Sequence, residues 1–414
     1  MRKTSAGLGL ATALSLVASA TCLFHPAAAR AEDAFSTNAR AAVLMDANTG
    51  AILFQHNANQ LLPPASMSKL LTIALVFDAL KSGRLSLDDE FTVSENAWRK
   101  GGAPSRTASM FVPINTKASI RDLVQGMIVQ SGNDAAIAIA EGIAGSETEF
   151  ASLMTRKARE LGLERSTFRN ATGLDEDGHV MTARELAMLA RAIIQLFPDY
   201  YGMFSQREMQ YRKHKFFNRN PLLSTDIGAD GLKTGYLQEA GYGLVASAVK
   251  GNRRLIVVVM GLKTENSRKS ESLRLLEFGF NKVASYRLFD AGETISYARV
   301  WGGTNYYVPL RGQGELFVYL PHYPANPHLR AEIIYASPLK PPIRAGDQVA
   351  LLRVTSPTQA VNEVPLYAAI DVAPANVFWR GLDALAFLLW RWLESWFDDL
   401  TSKALGRPDE RATS

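Results

Sequence analysis

The sequence predicts an α/β protein. An antiparallel sheet is assembled from both ends of a long segment, with helices on its faces and a helical subdomain beside it. A small all-β sandwich domain and a C-terminal amphipathic helix follow. Three observations predict this. Strand-like runs stand at residues 41–56 and again at 241–262, with helical periodicity between them. After Tyr286 the chain changes to short alternating runs broken by Gly and Pro. Its last stretch carries apolar residues at steps of three or four.

The chain opens with Arg2 and Lys3, an uncharged stretch from Thr4 to Leu23, and the site Ala29-Arg30-Ala31. This is the form of a cleaved secretory leader, residues 1–31. The run is short and interrupted for a membrane span. The single cysteine, Cys22, lies inside it, and Ser19-Ala20-Thr21 lacks the aliphatic residue of a lipid-attachment site. The mature chain therefore has no disulfide, no Cys nucleophile and no Cys-ligated zinc. Its length is enough to bury a sizeable core without them. The formal charge is +5, and Arg2, Lys3 and Arg30 leave with the leader, so the mature balance near +2 gives no argument for nucleic acid. His56, His179, His214, His322 and His328 include no HExxH spacing, so zinc hydrolysis is not expected.

The stretch "AAVLMDANTGAILFQH" (41–56) reads as two strands joined at Asn48-Thr49-Gly50. Helices are expected in "SKLLTIALVFDALKSG", "SIRDLVQGMIVQ" and "TARELAMLARAIIQLF". "GYGLVASAVK" and "RRLIVVVMGL" flank Gly251-Asn252, a hairpin signal, and a helix follows in "SRKSESLRLLEFGFNKV". These elements fill residues 32–287. The β domain spans 288–373, with runs such as "NYYVPLRG" and "AEIIYASP". From 374 to 405, Phe378, Leu382, Leu385, Leu389, Trp392, Trp396 and Leu400 form one stripe, with Arg380, Asp383, Arg391, Glu394 and Asp398 opposite. Only seven uncharged residues separate Asp383 from Arg391, too few to span a bilayer. The tryptophans favour a helix lying in a membrane interface over one packed on its own protein.

The chemistry is sought where polar residues interrupt this pattern. Ser66-Met67-Ser68-Lys69 has the form S-x-x-K, which also occurs at Ser247–Lys250 and Ser337–Lys340. The second lies in a strand, where i and i+3 point to opposite faces. The third contains a proline. Pro63-Pro64 instead introduces a helix, so Ser66 falls in its first turn and Lys69 one turn on, on the same face. A desolvated lysine there loses basicity and can take the serine proton. Ser131-Gly132-Asn133 stands between two apolar helices, and Lys233-Thr234-Gly235 opens a strand, where glycine allows a ligand close to the backbone. Lys and Thr together can hold a carboxylate. The intervals are 65 and 102 residues, and the ordered set carries more information than any one member.

The three boxes resemble the signatures of penicillin-binding proteins and serine β-lactamases. The surrounding words "PASMSKLLT", "SGNDAA", "FRNATGLDEDGHVMTARELA" and "DGLKTGYLQEAGYGLVASA" resemble the low-molecular-mass D-alanyl-D-alanine carboxypeptidases, over roughly 38–285. The resemblance implies the transpeptidase/β-lactamase-like fold and hydrolysis of the terminal D-alanine from peptidoglycan stem peptides ending in D-Ala-D-Ala. It implies Ser66 as nucleophile, Lys69 as base, and Ser131 and Asn133 as proton relay and amide binder. Lys233 and Thr234 would hold the carboxylate, with Gly235 completing the box. The N–H groups of Ser66 and Tyr236 would form the oxyanion hole, and Arg268 is the candidate helper arginine. Tyr236 stands where relatives commonly have His, Thr or Phe, which changes a pocket wall and keeps the backbone donor. Lys233 is expected to depress the Lys69 pKa further. No metal or organic cofactor is implied. β-lactam antibiotics would be covalent inhibitors, and the enzyme would be periplasmic, on the outer face of the cytoplasmic membrane.

Three other readings stand beside this one. A β-lactamase would need a water-activating glutamate, and Glu176 in "DEDG" reads as an exposed turn. A D,D-endopeptidase would share the boxes. A non-catalytic wall-binding or penicillin-sensing protein would not need all three intact. His179 is expected to order the turn before a helix, and "RKGGAPSRTASM" (99–110) either edges the groove or is a solvated loop.

Overall fold

The computed structural model describes residues 35–314, 316–321, 330–355, 361–376 and 381. The leader with Cys22, His322, His328 and, Gly381 aside, the amphipathic stretch from Val377 lie outside the described residues.

A five-stranded sheet runs in the order Ile52–His56, Ala41–Asp46, Arg253–Leu262, Gly241–Lys250, Ala229–Leu237, antiparallel throughout. The first two strands and the last three come from opposite ends of the segment. The central strand is buried along "LIVVVM" because both its faces are covered. Val43, Met45, Ile256, Val258 and Met260 join the core shared with the helical block. Their alternates Leu44 and Leu255 pack against helix Glu265–Lys282, so closely that a Cβ on Gly279 would lie 2.6 Å from Leu255 and 2.7 Å from Leu44.

Helix Lys69–Lys81 is apolar nearly all round, and ten of its residues are buried, which fits an element enclosed by others. Phe77 sits where Phe197, Tyr200 and Phe204 converge, with ring centroids 5.9, 5.3 and 6.1 Å away. The surrounding helices begin at hydroxyl caps. Ser94 accepts from Ala97 N, Ser119 from Asp122 N, Ser146 from Glu149 N and Thr182 from Glu185 N.

The second domain is a small β-sheet unit. Five antiparallel strands run in the order Ser296–Arg299, Tyr307–Arg311, Val361–Ala368, Gln348–Thr355, Arg330–Ile334. Val283–Phe289 pairs with Leu316–Pro321 as a separate ribbon. The 287/288 boundary read from composition therefore falls inside a strand. Gly and Pro punctuation starts only at Gly292, after that strand has ended. A polar cleft of about 750 Å³ separates the sheet's Glu332, Arg353 and Glu363 from Gln55 and Arg184 of the catalytic domain.

Phe77→Ala should cost about 3–5 kcal/mol, because it removes a fully buried ring that its neighbours cannot replace. Chemical denaturation would show this as a lowered midpoint with an unchanged slope.

Candidate active site

Pro64 leads into a tight turn, Ala65–Ser68, which runs directly into helix Lys69–Lys81. Ser66 thus precedes the α-helix instead of lying in its first turn. The two side chains still share a face, with Lys69 Nζ 3.1 Å from Ser66 Oγ. Lys69 is fully buried, and it donates to Asn133 Oδ1 at 2.6 Å and to the Thr172 carbonyl at 2.5 Å.

The second cluster follows a wide turn, Gly126–Gln130, which closes helix Ile120–Gln125. Ser131 adopts the left-handed conformation (φ 65°, ψ 29°), a strained position for a non-glycine residue, and is buried. Asn133 is the first residue of the next helix, and its Nδ2 donates to Thr107 Oγ1 at 2.9 Å. The adjacent Asp134 carboxylate accepts from Ser109 Oγ and from the N–H groups of Met110 and Val112 at 2.8–3.1 Å. This fastens the loop of residues 106–112 to the cluster, and "RKGGAPSRTASM" reaches Asn133 through Thr107.

Lys233, Thr234 and Gly235 lie in the middle of strand Ala229–Leu237, not at its start. All three are buried. A Cβ on Gly235 would lie 2.9 Å from the Pro64 carbonyl oxygen and 3.1 Å from Ala65 Cβ. The neighbour that requires glycine here is therefore the Ser66 turn and not a ligand.

Burial drives the Lys69 amine down to a pKa of about 7, with Arg219 adding to the effect, while Asp134 and Glu147 oppose it. Arg219 thus joins Lys233, the cation the sequence pointed to, in facing Lys69. Lys233 is itself well below the usual lysine range because it is buried and faces Lys69, Arg219 and Arg268. His179, buried beside the Phe168 ring, is pushed down to about 4 by burial and by Lys69, so it is neutral at pH 7.

Comparison with known proteins decides what this arrangement belongs to. The D-alanyl-D-alanine carboxypeptidase family model matches residues 27–264. The chain belongs to this family. A second model, the C-terminal domain of penicillin-binding protein 5, matches residues 284–374. D-alanyl-D-alanine carboxypeptidase DacC of Escherichia coli K12 is 38% identical, over 91% of this chain and 95% of that protein. The crystal structure of penicillin-binding protein 5 from Haemophilus influenzae superposes with a TM-score of 0.68 at 35% identity, covering 82% of this chain and 99% of that one. Penicillin-binding protein D2 from Listeria monocytogenes, in its ampicillin-bound form, gives 0.54 at 31% identity, over 60% and 100%.

Within this carboxypeptidase, Arg268 is deep and only partly paired, since its buried Nε has no hydrogen-bond partner. It is 3% exposed, pairs with Glu265 at 2.5 Å and stacks over Tyr242 at 5.7 Å. Tyr236, 52% exposed, leans on the same Tyr242 ring with centroids 4.3 Å apart. Arg219 is the residue that sequence reasoning missed, since it acts on both active-site lysines. It sits in "FNRNP", where Asn220 anchors the loop by donating to the Gly231 carbonyl at 2.8 Å. The only signal was an arginine beside an Asn-Pro cap, fourteen residues before Lys233. Glu176 is exposed and accepts from Asn170 Nδ2 at 2.9 Å.

Gly173→Ala tests the packing around the nucleophile. The residue has φ +75°, and an added Cβ would lie 2.0 Å from the Ala65 carbonyl oxygen. The variant should lose about 1–2 kcal/mol from backbone strain alone. It should also lose most of its labelling by fluorescent penicillin, because the Ser66 turn must shift; wild-type labelling would contradict the assigned role of this contact.

Proposed function

We infer that the cleft carries out serine-type D,D-carboxypeptidase chemistry on peptidoglycan stem peptides and takes up penicillins at the same serine. The observation that carries the reading is a buried amine, close to neutral at physiological pH, 3.1 Å from a serine hydroxyl. In the forward step, Ser66 Oγ attacks the carbonyl of the penultimate D-alanine while its proton passes to Lys69. The tetrahedral oxyanion is received by the N–H groups of Ser66 and Tyr236. The C–N bond breaks, the proton reaches the leaving D-alanine amine through Lys69 and Ser131, and an ester remains on Ser66. Water then attacks this ester, and the shortened peptide leaves.

Asn133 orients the peptide amide, and Lys233, Thr234 and Arg219 hold the terminal carboxylate. Arg268, which faces Lys233 and also packs on the Tyr242–Tyr236 wall, is the candidate helper for that carboxylate. Glu176, tied to Asn170, is not offered as a water activator, which favours slow release of penicillin over rapid turnover. The leader of residues 1–31 would export the chain. A catalytic unit and the β domain to residue 373 would then stand on an interfacial helix, residues 374–405, at the periplasmic face of the cytoplasmic membrane. Among the described residues no helix is long and apolar enough to cross a membrane.

Ser66→Ala should abolish both penicillin acylation and release of D-alanine from diacetyl-L-Lys-D-Ala-D-Ala. Because Lys69 must be neutral to accept the proton, the acylation rate should fall about tenfold per pH unit below a midpoint near 7 and level off above it. Lys69→Arg should lower the rate by about 10²–10⁴-fold at every pH. A flat profile in the wild-type enzyme would rule out Lys69 as the base. Truncation after Asn376 should release active enzyme from membranes, and sedimentation of the truncated chain with them at the full-length level would exclude the anchor.

A further inference from the structure

The β domain exposes a tyrosine cluster that the chemistry of the cleft does not use. Tyr297, Tyr306 and Tyr307 are 61%, 49% and 56% exposed. Cross-strand register places Tyr297, Arg299 and Tyr307 on one side, and Tyr306 stands in the bend just before Tyr307. Tyr297 opposes Pro309 and Arg299 opposes Tyr307, while the alternates Ala298, Val308 and Leu310 are fully buried. The Arg299 guanidinium lies 5.2 Å from the Tyr306 ring and 5.6 Å from the Tyr307 ring, joining them into one aromatic and cationic surface.

Two features of the fold say what meets this surface. The first is where the described chain leaves the domain. Thr304 N donates to the Ala373 carbonyl at 2.8 Å and Ala375 N to the Gly302 carbonyl at 2.9 Å. The departing strand thus runs alongside the 302–305 turn that carries Tyr306 and Tyr307, and the next residues are the tryptophan-rich stretch from Val377. The second is where the catalytic domain lies. A cleft separates it from Glu332, Arg353 and Glu363, which neighbour one another across three strands, whereas strand Tyr307–Arg311 pairs with Tyr367 and Ala368, at the other end of the strand that carries Glu363. The tyrosine corner therefore stands at the end of the sheet remote from that cleft, beside the exit of the C-terminal segment.

We propose that Tyr297, Arg299, Tyr306 and Tyr307 form a second membrane contact, seated in the headgroup layer beside the C-terminal helix. Tyrosine suits that layer because its ring is apolar and its hydroxyl stays wet, and arginine can reach lipid phosphates from the same depth. One helix on a single strand leaves a domain free to swivel. A second contact at the root of that strand fixes the tilt and holds the cleft away from the bilayer surface. The proposal rests on the interfacial-helix reading above, and its test separates the two.

The test uses the mature full-length chain, in which cleavage of the leader removes the only cysteine, Cys22. A polarity-sensitive dye is placed at Tyr306→Cys or, as a control on the far edge of the sheet, at Glu332→Cys. Vesicles are an equal mixture of phosphatidylethanolamine and phosphatidylglycerol. The Tyr306 dye should shift to the blue on adding vesicles and the Glu332 dye should not. The triple variant Tyr297→Ser, Tyr306→Ser, Tyr307→Ser should partition about tenfold more weakly, from the apolar area it withholds, while hydrolysing soluble peptide at the wild-type rate. If the full chain partitions but the dye stays silent and the triple variant binds normally, the second contact is refuted and the helix stands. If the full chain does not partition at all, both readings fall. If the dye is already blue without vesicles and reddens on truncation after Asn376, the chain's own C-terminal segment covers the patch and the proposal is wrong.

Discussion

The site depends on one amine removed from water. Moving Lys69 from the ordinary lysine value of 10.5 to about 7 corresponds to roughly 5 kcal/mol of preference for the neutral form. Its three contacts suit both protonation states. Asn133 Oδ1 and the Thr172 carbonyl can only accept, so they take two N–H groups from either form. The third contact, at Ser66 Oγ, can reverse. The ammonium donates to the hydroxyl, whereas the neutral amine offers its lone pair to the hydroxyl proton. A proton can thus travel along the 3.1 Å line between them without either side chain changing partners.

That amine stays dry because backbone from three places in the sequence closes over it, and the closeness is set by glycines. A Cβ at Gly173 would strike the Ala65 carbonyl, one at Gly235 would crowd Pro64 and Ala65, and one at Gly101 would lie 2.3 Å from Asp134 N. Each glycine marks a crossing where one main chain meets another around the nucleophile turn, the Asn133 loop or the lysine strand. Close packing at the crossings excludes water, and exclusion of water is the largest contribution to the Lys69 depression. Stability and chemistry are coupled at these points, since loosening a crossing readmits solvent to the amine.

Much of this was legible from residues alone. The Gly251-Asn252 hairpin and the three polar boxes have local signatures, because side-chain chemistry and turn geometry are written in the residues that make them. The sheet built from both ends of the segment followed from where strand-like runs stood. What escaped has no local signature. The Thr172 carbonyl binds Lys69 as backbone, whose identity no residue type advertises. Arg219 matters because its loop folds back over the lysines, a long-range fact. Gly235 was read as room for a ligand, although the neighbouring atoms belong to a turn 170 residues earlier. The 287/288 boundary falls inside a strand because Val283–Phe289 continues directly from a helix, without the Gly or Pro that usually marks such a change.

The distribution of positive charge follows the same logic. Lys69, Lys233, Arg219 and Arg268 influence one another, and burial lowers the proton affinity of all four. Only Arg268 has a short carboxylate partner, Glu265, which offsets much of its field. The cleft is therefore short of negative charge when empty. On the proposed reading a terminal carboxylate would supply it, and its arrival would favour the protonated forms of both lysines. For Lys233 this would strengthen the grip on the ligand. For Lys69 the same charge would make the amine a stronger base but leave less of it neutral at pH 7, so the two effects oppose. One charge would thus set both the hold on the substrate and the balance between strength and availability of the base.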